Sequence, residues 1–399
     1  MILLDILNKE AWVQKALIEA GELSISELMH ETLARIKIVN PIVNALVNLL
    51  NEEDCKKLTF EKYALQGSLG GMPMAIKDLA NVKGFKTTEG SPLYSGRVAQ
   101  KDDQMVARLR AAGALFIGKT NTPEFGLGSN TFNPVYGKTK NPYDLSKTCG
   151  GSSGGAAVAL ATRMLSISDG SDMMGSLRNP AAWNNVYGLR PTWGLVPPEP
   201  TGEVFLSQLS TLGPMARSPK DLAMLLDVQA NRTENRSFIS SPKTFSNFTE
   251  EPIMEGIKVG WLGDWGGTLA FEHGLLDLSQ EALNEMSYLG AIVHDLKAPF
   301  AMNDIWTSWS DLRAWQIANG LSEIYEDLEM QKYLKPEAVW EIESGLSLTG
   351  QDIYKSALKK SKWYNSASQL FDKFDLLVLP STQVWPFDLA QVYPVSINS

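Results

Sequence analysis

Three stretches of the chain bring together residues able to move a proton or attack a carbonyl. Lys77 closes the apolar run Met74–Ile76 beside Asp78; Ser152 and Ser153 sit inside a glycine run from Gly150 to Gly155; and Ser176 ends the segment Gly170-Ser-Asp-Met-Met-Gly-Ser176. A serine hydroxyl is a weak nucleophile at neutral pH and needs an adjacent base. The three histidines, His30, His273 and His294, lie in helix-like or strand-like stretches without a supporting motif, so structural roles are expected for them. A lysine can serve instead if burial lowers its pKa, because desolvation disfavours the ammonium form.

Other patterns match by letter only. Gly113-Ala-Leu-Phe-Ile-Gly-Lys119-Thr120 spells a phosphate loop, but its apolar middle reads as a buried strand where a phosphate cradle needs an exposed loop. The glycine run contains the G-x-S-x-G elbow twice, yet the segment before it, Tyr143–Cys149, is polar where an elbow needs a buried strand. Ser356-x-x-Lys359 and Ser240-x-x-Lys243 fall on a polar amphipathic helix and in a polar connection. Neither H-E-x-x-H nor paired C-x-x-C occurs, so no metal site is expected.

Taken together, the glycine-serine run followed by Gly170-Ser-Asp-Met-Met-Gly-Ser-Leu-Arg-Asn-Pro-Ala resembles the amidase signature family. The separations agree with it: 75 residues from Lys77 to Ser152 and 24 from Ser152 to Ser176. Further matches include Gly118–Phe125, Asn141–Asp144, Tyr187–Pro191, Gly213–Arg217 and Asp375–Pro380, so the resemblance covers nearly the whole chain. The pair Met173-Met174 departs from the small or Thr-Gly-Gly run usual before the nucleophile. With Asn179-Pro-Ala and Trp183–Tyr187 behind it, the pair is most similar to the branch containing 6-aminohexanoate cyclic-dimer hydrolase.

The resemblance implies hydrolysis of a linear or cyclic carboxamide through an acyl-enzyme, without cofactor, metal or nucleotide. Neutral Lys77 would draw a proton through Ser152 from Ser176, the nucleophile, and the backbone N–H groups of Met173, Met174, Gly175 and Ser176 would hold the oxyanion. Asp172 and Arg178 would pair to orient the nucleophile loop, while Ser153 and Ser171 would hydrogen-bond nearby backbone. Two other functions stay open: an amidotransferase A subunit releasing ammonia from glutamine for a tRNA-linked partner, and a weakly active or non-catalytic remnant. The last arises because the family's chains continue past the strand at 376–380, whereas this one stops at Ser399. Weak activity and self-association are the expected consequences.

Positioning these residues is the task of the surrounding elements. The chain has 399 residues, 44% hydrophobic and 20% charged, the texture of a soluble globular protein. A formal charge of −9 without a basic cluster argues against nucleic acid as a direct ligand. No run approaches the roughly 18 apolar residues of a membrane span, and Asp5 interrupts the apolar start, so a cytoplasmic address is expected. Cys55 and Cys149 make no disulfide framework. The box Ser24-Ile-Ser-Glu27 predicts a helix over 25–38, preceded by another near 10–20. Strands are expected at Met74–Ile76, Ala114–Ile117, Ile257–Leu262, Ala291–His294 and Leu376–Leu379, the last in a sheet interior. Helices are expected near 102–112, 274–288, 303–330 and 350–373. Trp306, Trp309 and Trp315 fit a core-facing stripe better than a pocket lining. The whole reads as one α/β unit: a helical region over 1–66, then a catalytic domain over 67–399, a large mixed twisted sheet flanked by helices as the resemblance implies, with a polar surface connection at about 231–256.

Overall fold

The computed structural model describes residues 3–199, 203, 205–230, 244–247 and 253–398. The chain divides into two compact units, Met1–Phe248 with Pro386–Tyr393, and Thr249–Trp385 with Pro394–Ser399. Residue 66 lies inside the first unit, and residues 67–399 contribute to both units. The split lies within the polar connection at 231–256, of which 231–243 and 248–252 are outside the described residues, as is the Ser240–Lys243 motif.

In the first unit, helices α1 (Ala11–Glu19) and α2 (Ile25–Val43) precede the strands, and α3 (Glu52–Leu58) follows the first of them. The expected capping box forms at α2: Ser24 Oγ accepts from the Glu27 N–H and the Glu27 carboxylate accepts from the Ser24 N–H. Strands β1 (Leu46–Val47), β2 (Pro73–Lys77) and β3 (Leu115–Thr120) form a sheet in the order β1-β3-β2, with β2 and β3 parallel across helix α4 (Gln104–Ala111). A small hairpin, β4 (Phe132–Asn133) and β5 (Gly137–Lys138), leads to helix α5 (Gly154–Ala161). Strand β6 (Ile167–Asp172), helix α6 (Arg178–Trp183), β7 (Tyr187–Gly188), β8 (Thr211–Ala216) and helix α7 (Pro219–Gln229) follow, the strands antiparallel in the order β6-β8-β7.

Among the described residues the strands group into several smaller sheets in place of the one large sheet expected. β2 and β6 run side by side, but the Lys77 N–H donates to the Asp169 carboxylate at 3.0 Å and not to a ladder carbonyl. Both faces of β2 are buried: Met74 and Ile76 pack with Phe116 and Ile167, while Ala75 packs with Leu115 and α5. Strand period then turns Lys77 to the Ala75 face, toward the start of α5.

In the second unit, β9 (Lys258–Trp261), helix α8 (Leu275–Tyr288), β10 (Ile292–Asp295) and β11 (Leu376–Val378) make a parallel sheet in the order β10-β9-β11. Between β10 and β11 run α9 (Met302–Glu326), α10 (Leu328–Gln331), α11 (Pro336–Leu346) and α12 (Gly350–Phe371). The tryptophans of α9 do not form a core stripe. Its buried positions are Ser308, Ala314, Ile317, Ala318 and Ile324, whereas Trp306 is 57% exposed with its ring 5.1 Å from that of Trp309.

Nor is β11 interior, since among the described residues it pairs only with β9, and Leu376 is 44% exposed. An apolar edge strand templates pairing with other chains. Leu376→Lys is therefore expected to lower concentration-dependent light scattering; identical scattering from both chains would show that this edge takes no part in association. No helix among the described residues is long and apolar enough to cross a membrane.

Candidate active site

Lys77 ends β2 only 1% exposed, and its amine is surrounded by hydroxyls. Nζ lies 2.7 Å from Ser152 Oγ, 2.9 Å from Ser153 Oγ and 3.0 Å from Ser171 Oγ. An ammonium could donate to all three. A neutral amine donates to two and accepts from the third through its lone pair. Burial pulls the Lys77 amine down to about 7, against the charges of Asp169 and Asp172, which favour its protonated form. Ser153 and Ser171, expected to bind backbone, are direct partners of the amine, although Ser153 Oγ also contacts the Ser171 carbonyl at 3.3 Å. Ser153 precedes α5 as its N-cap yet caps nothing with its side chain.

The small residues around Ser152 have a packing cause. Helix α5 starts so close to the segment after β3 that a Cβ on Gly155 would lie 2.4 Å from the Asn121 nitrogen. This contact holds the serine run against the strand ends, with Gly151–Ser152 a cis peptide and Ser152 only 2% exposed.

The nucleophile turn is built on Asp172. Its carboxylate accepts from the N–H groups of Gly175 at 2.7 Å and Leu177 at 3.1 Å, and from Arg178 in a fork at 2.9 and 3.0 Å; Arg190 approaches to 3.4 Å. Burial pushes this carboxyl up, but the Arg178 hydrogen bonds and charge and the two N–H groups hold it below its ordinary value. The expected Asp172–Arg178 pair is therefore formed, and the turn it clamps contains Ser176. Gly175 takes φ +107, and a Cβ there would meet the Asn179 side chain at 2.7 Å. One expected oxyanion donor is corrected: the Gly175 N–H points inward to Asp172 and cannot also face a substrate oxygen.

Ser176 is half-buried, and its carbonyl accepts from the Ser153 N–H at 3.2 Å, which sets the two serine segments side by side. Among the described residues no hydrogen bond runs from Ser176 Oγ to Ser152 or Lys77. Met174 is 42% exposed and Met173 half-buried, so neither is a fully buried core residue.

Residues that the sequence motifs do not single out lie behind Lys77. Asp169, 1% exposed, accepts the Lys77 N–H, and burial raises its carboxyl to about 6 against that bond and the charges of Lys119 and Lys77. Lys119, at the heart of the phosphate-loop look-alike, is fully buried in β3 and lies 3.8 Å from Asp78. Burial lowers it to about 8 against the Asp78 charge. The available signal was β6 itself, a buried strand reading Ile-Ser-Asp-Gly-Ser-Asp with two aspartates three positions apart. Elsewhere, Ser356 donates to Asp311 at 2.5 Å and Lys359 pairs with Asp304 at 3.0 Å, so that motif is no catalytic pair. All three histidines are exposed, and Cys55 and Cys149 are buried free thiols.

A family model described as Amidase matches residues 27–398. The chain belongs to the amidase signature family, hydrolases acting on C–N bonds. Along its whole length this amidase is 29% identical to the A subunit of the glutamyl-tRNA(Gln) amidotransferase of Alkaliphilus metalliredigens, covering 87% of that protein. It is 32% identical to an acylamidase of Rhodococcus erythropolis over 95% of the amidase and 80% of the relative. Three more amidotransferase A subunits align at 33–37% identity over 58–59% of their own length. Among solved structures, 6-aminohexanoate cyclic dimer hydrolase complexed with substrate superposes with a TM-score of 0.85 at 26% identity, covering 96% of the amidase and 81% of that chain.

Proposed function

We propose that this amidase cleaves a linear or cyclic carboxamide through a relay of Ser176, Ser152 and Lys77. The observation that carries the reading is a fully buried lysine amine 2.7 Å from Ser152 Oγ, and burial lowers its pKa to about 7. The neutral amine takes the Ser152 proton while Ser152 takes that of Ser176, and the Ser176 oxygen bonds to the amide carbon. The carbonyl electron pair moves onto oxygen, where the N–H groups of Met173, Met174 and Ser176 are its donors, each worth roughly 3 kcal/mol. Collapse breaks the C–N bond, and the relay returns the proton to the departing amine. Water then repeats the sequence on the acyl-enzyme. Asp172 and Arg178 hold the nucleophile turn, on which Met174 is 42% exposed.

Hydroxylamine partitioning tests the acyl-enzyme. An aryl amide and an aryl ester with the same acyl group should give the same hydroxamate-to-acid ratio, because both pass through one intermediate. Unequal ratios would exclude it. Similarity to amidotransferase A subunits favours a second reading, glutamine amidohydrolysis for a tRNA-linked partner. Arylamine release from the purified chain alone is expected to exceed ammonia release from glutamine. Preferential glutamine hydrolysis with co-purifying subunits would replace the first reading.

A further inference from the structure

The geometry points to Asp169 as a positioning residue for Lys77, an anion that anchors the strand end carrying the base and balances the charge the base gains during attack. This inference rests on the reading of Lys77 as the base. Asp169 Oδ1 accepts the backbone N–H of Lys77 itself at 3.0 Å, so the carboxylate is fixed to the residue it acts upon. Both groups are about 1% exposed, where charges interact with little screening.

The surrounding charges define its task. Just after β2 comes Asp78, bonded by the Thr88 hydroxyl at 2.5 Å, and from β3 Lys119, 3.8 Å from Asp78 and also bonded to the Ala80 carbonyl and, at 3.3 Å, the Thr87 hydroxyl. From β6 come Asp169 and Asp172, the latter already compensated by Arg178 and Arg190; the start of α5 offers the hydroxyls of Ser152 and Ser153. Glu89 is paired with Arg97, and Asp103 and Arg97 act on Lys119 from further out. The charges that act on Asp169 are thus Lys119 and Lys77. With Lys77 neutral, Asp78, Asp169 and Lys119 together carry one net negative charge. When Lys77 takes the serine proton the group becomes neutral. The cluster therefore favours the protonated lysine formed during attack, opposing the burial that keeps it neutral at rest. Lys119 holds Asp169 in its carboxylate form meanwhile.

The test is the pH dependence of Ser176 labelling by a fluorophosphonate probe, which needs no knowledge of the substrate. The Ser176 oxygen displaces fluoride from phosphorus, and its proton leaves through the same relay. Asp169→Asn keeps an acceptor for the Lys77 N–H but removes the charge. The acid limb should move to lower pH by about one unit, the scale of one nearby opposite charge, and the alkaline plateau should fall about threefold to tenfold because a less basic amine is a weaker base. Asp169→Glu, which keeps the charge, should bring the limb back to its wild-type position. A lower plateau or melting temperature with an unmoved limb would leave Asp169 a purely structural residue and overturn the inference. Labelling retained in Lys77→Arg would instead overturn the base assignment.

If the Asn variant does not fold, carboxyl-13C aspartate spectra of the wild-type chain decide the matter. Asp169 should still be ionised at the midpoint of the labelling limb, near pH 7, and gain its proton only below it, at about 6. A buried aspartate already protonated at that midpoint would overturn the inference.

Discussion

Replacing Lys77 with arginine is expected to abolish activity almost as fully as replacing it with alanine, both lowering kcat/KM by about 10²–10⁴-fold, the scale of a lost proton-transfer catalyst. Arginine keeps a positive charge and hydrogen-bond donors for Ser152, Ser153 and Ser171, but a guanidinium does not give up its proton at working pH. Retention of charge without basicity separates a base from a mere anchor. The pH profile follows with its sign fixed: the productive form is the neutral amine, so activity should be low in acid, rise through about pH 7 and level off above it. An ordinary exposed lysine would place that rise about three units higher. A Lys77→Arg chain that retained most of the activity, or a loss that tracks His273 or His294, would move the base elsewhere.

The two serines should separate just as sharply. Ser176→Ala is expected to give no covalent intermediate with any amide, since the bond-forming oxygen is gone. Ser152→Ala should leave substrate binding close to wild type and slow turnover by at least about a hundredfold, because the 2.7 Å link to the amine is lost while the nucleophile remains. Rapid-mix kinetics distinguishes them: a slow acylation phase persists in Ser152→Ala and none occurs in Ser176→Ala. Equal burst amplitudes in Ser152→Ala and wild type at equal rates would remove Ser152 from the relay.

Much of the site was legible because its constraints are local. Lys77 closes an apolar run, and a glycine run that tolerates no Cβ at Gly155 announces close packing. Capping at Ser24 and the strand period of β2 likewise need only neighbouring residues. What escaped the sequence depends on distant pairs. Lys119 lies 42 positions after Lys77 and 50 before Asp169, and only the side-by-side run of β2 and β6 makes them neighbours. The inward turn of the Gly175 N–H depends on an aspartate whose side-chain direction no spacing reveals. The α9 tryptophans show the reverse: Trp306 and Trp309 are three positions apart as a core stripe requires, but the α9 core face is taken by Ala314, Ile317 and Ala318. The division into two units near residue 248 falls in the polar segment that the sequence marks as a connection between two halves.

The most direct test of the central claim is incubation of the purified chain with a fluorophosphonate probe, followed by proteolysis and mass mapping of the adduct, in wild type and in Lys77→Ala. One adduct per chain on the peptide carrying Ser176, formed at least about a hundredfold more slowly without the lysine, is the predicted result. An adduct on Ser152 or Ser356, or labelling of Ser176 at the same rate in Lys77→Ala, would contradict the Ser-Ser-Lys assignment.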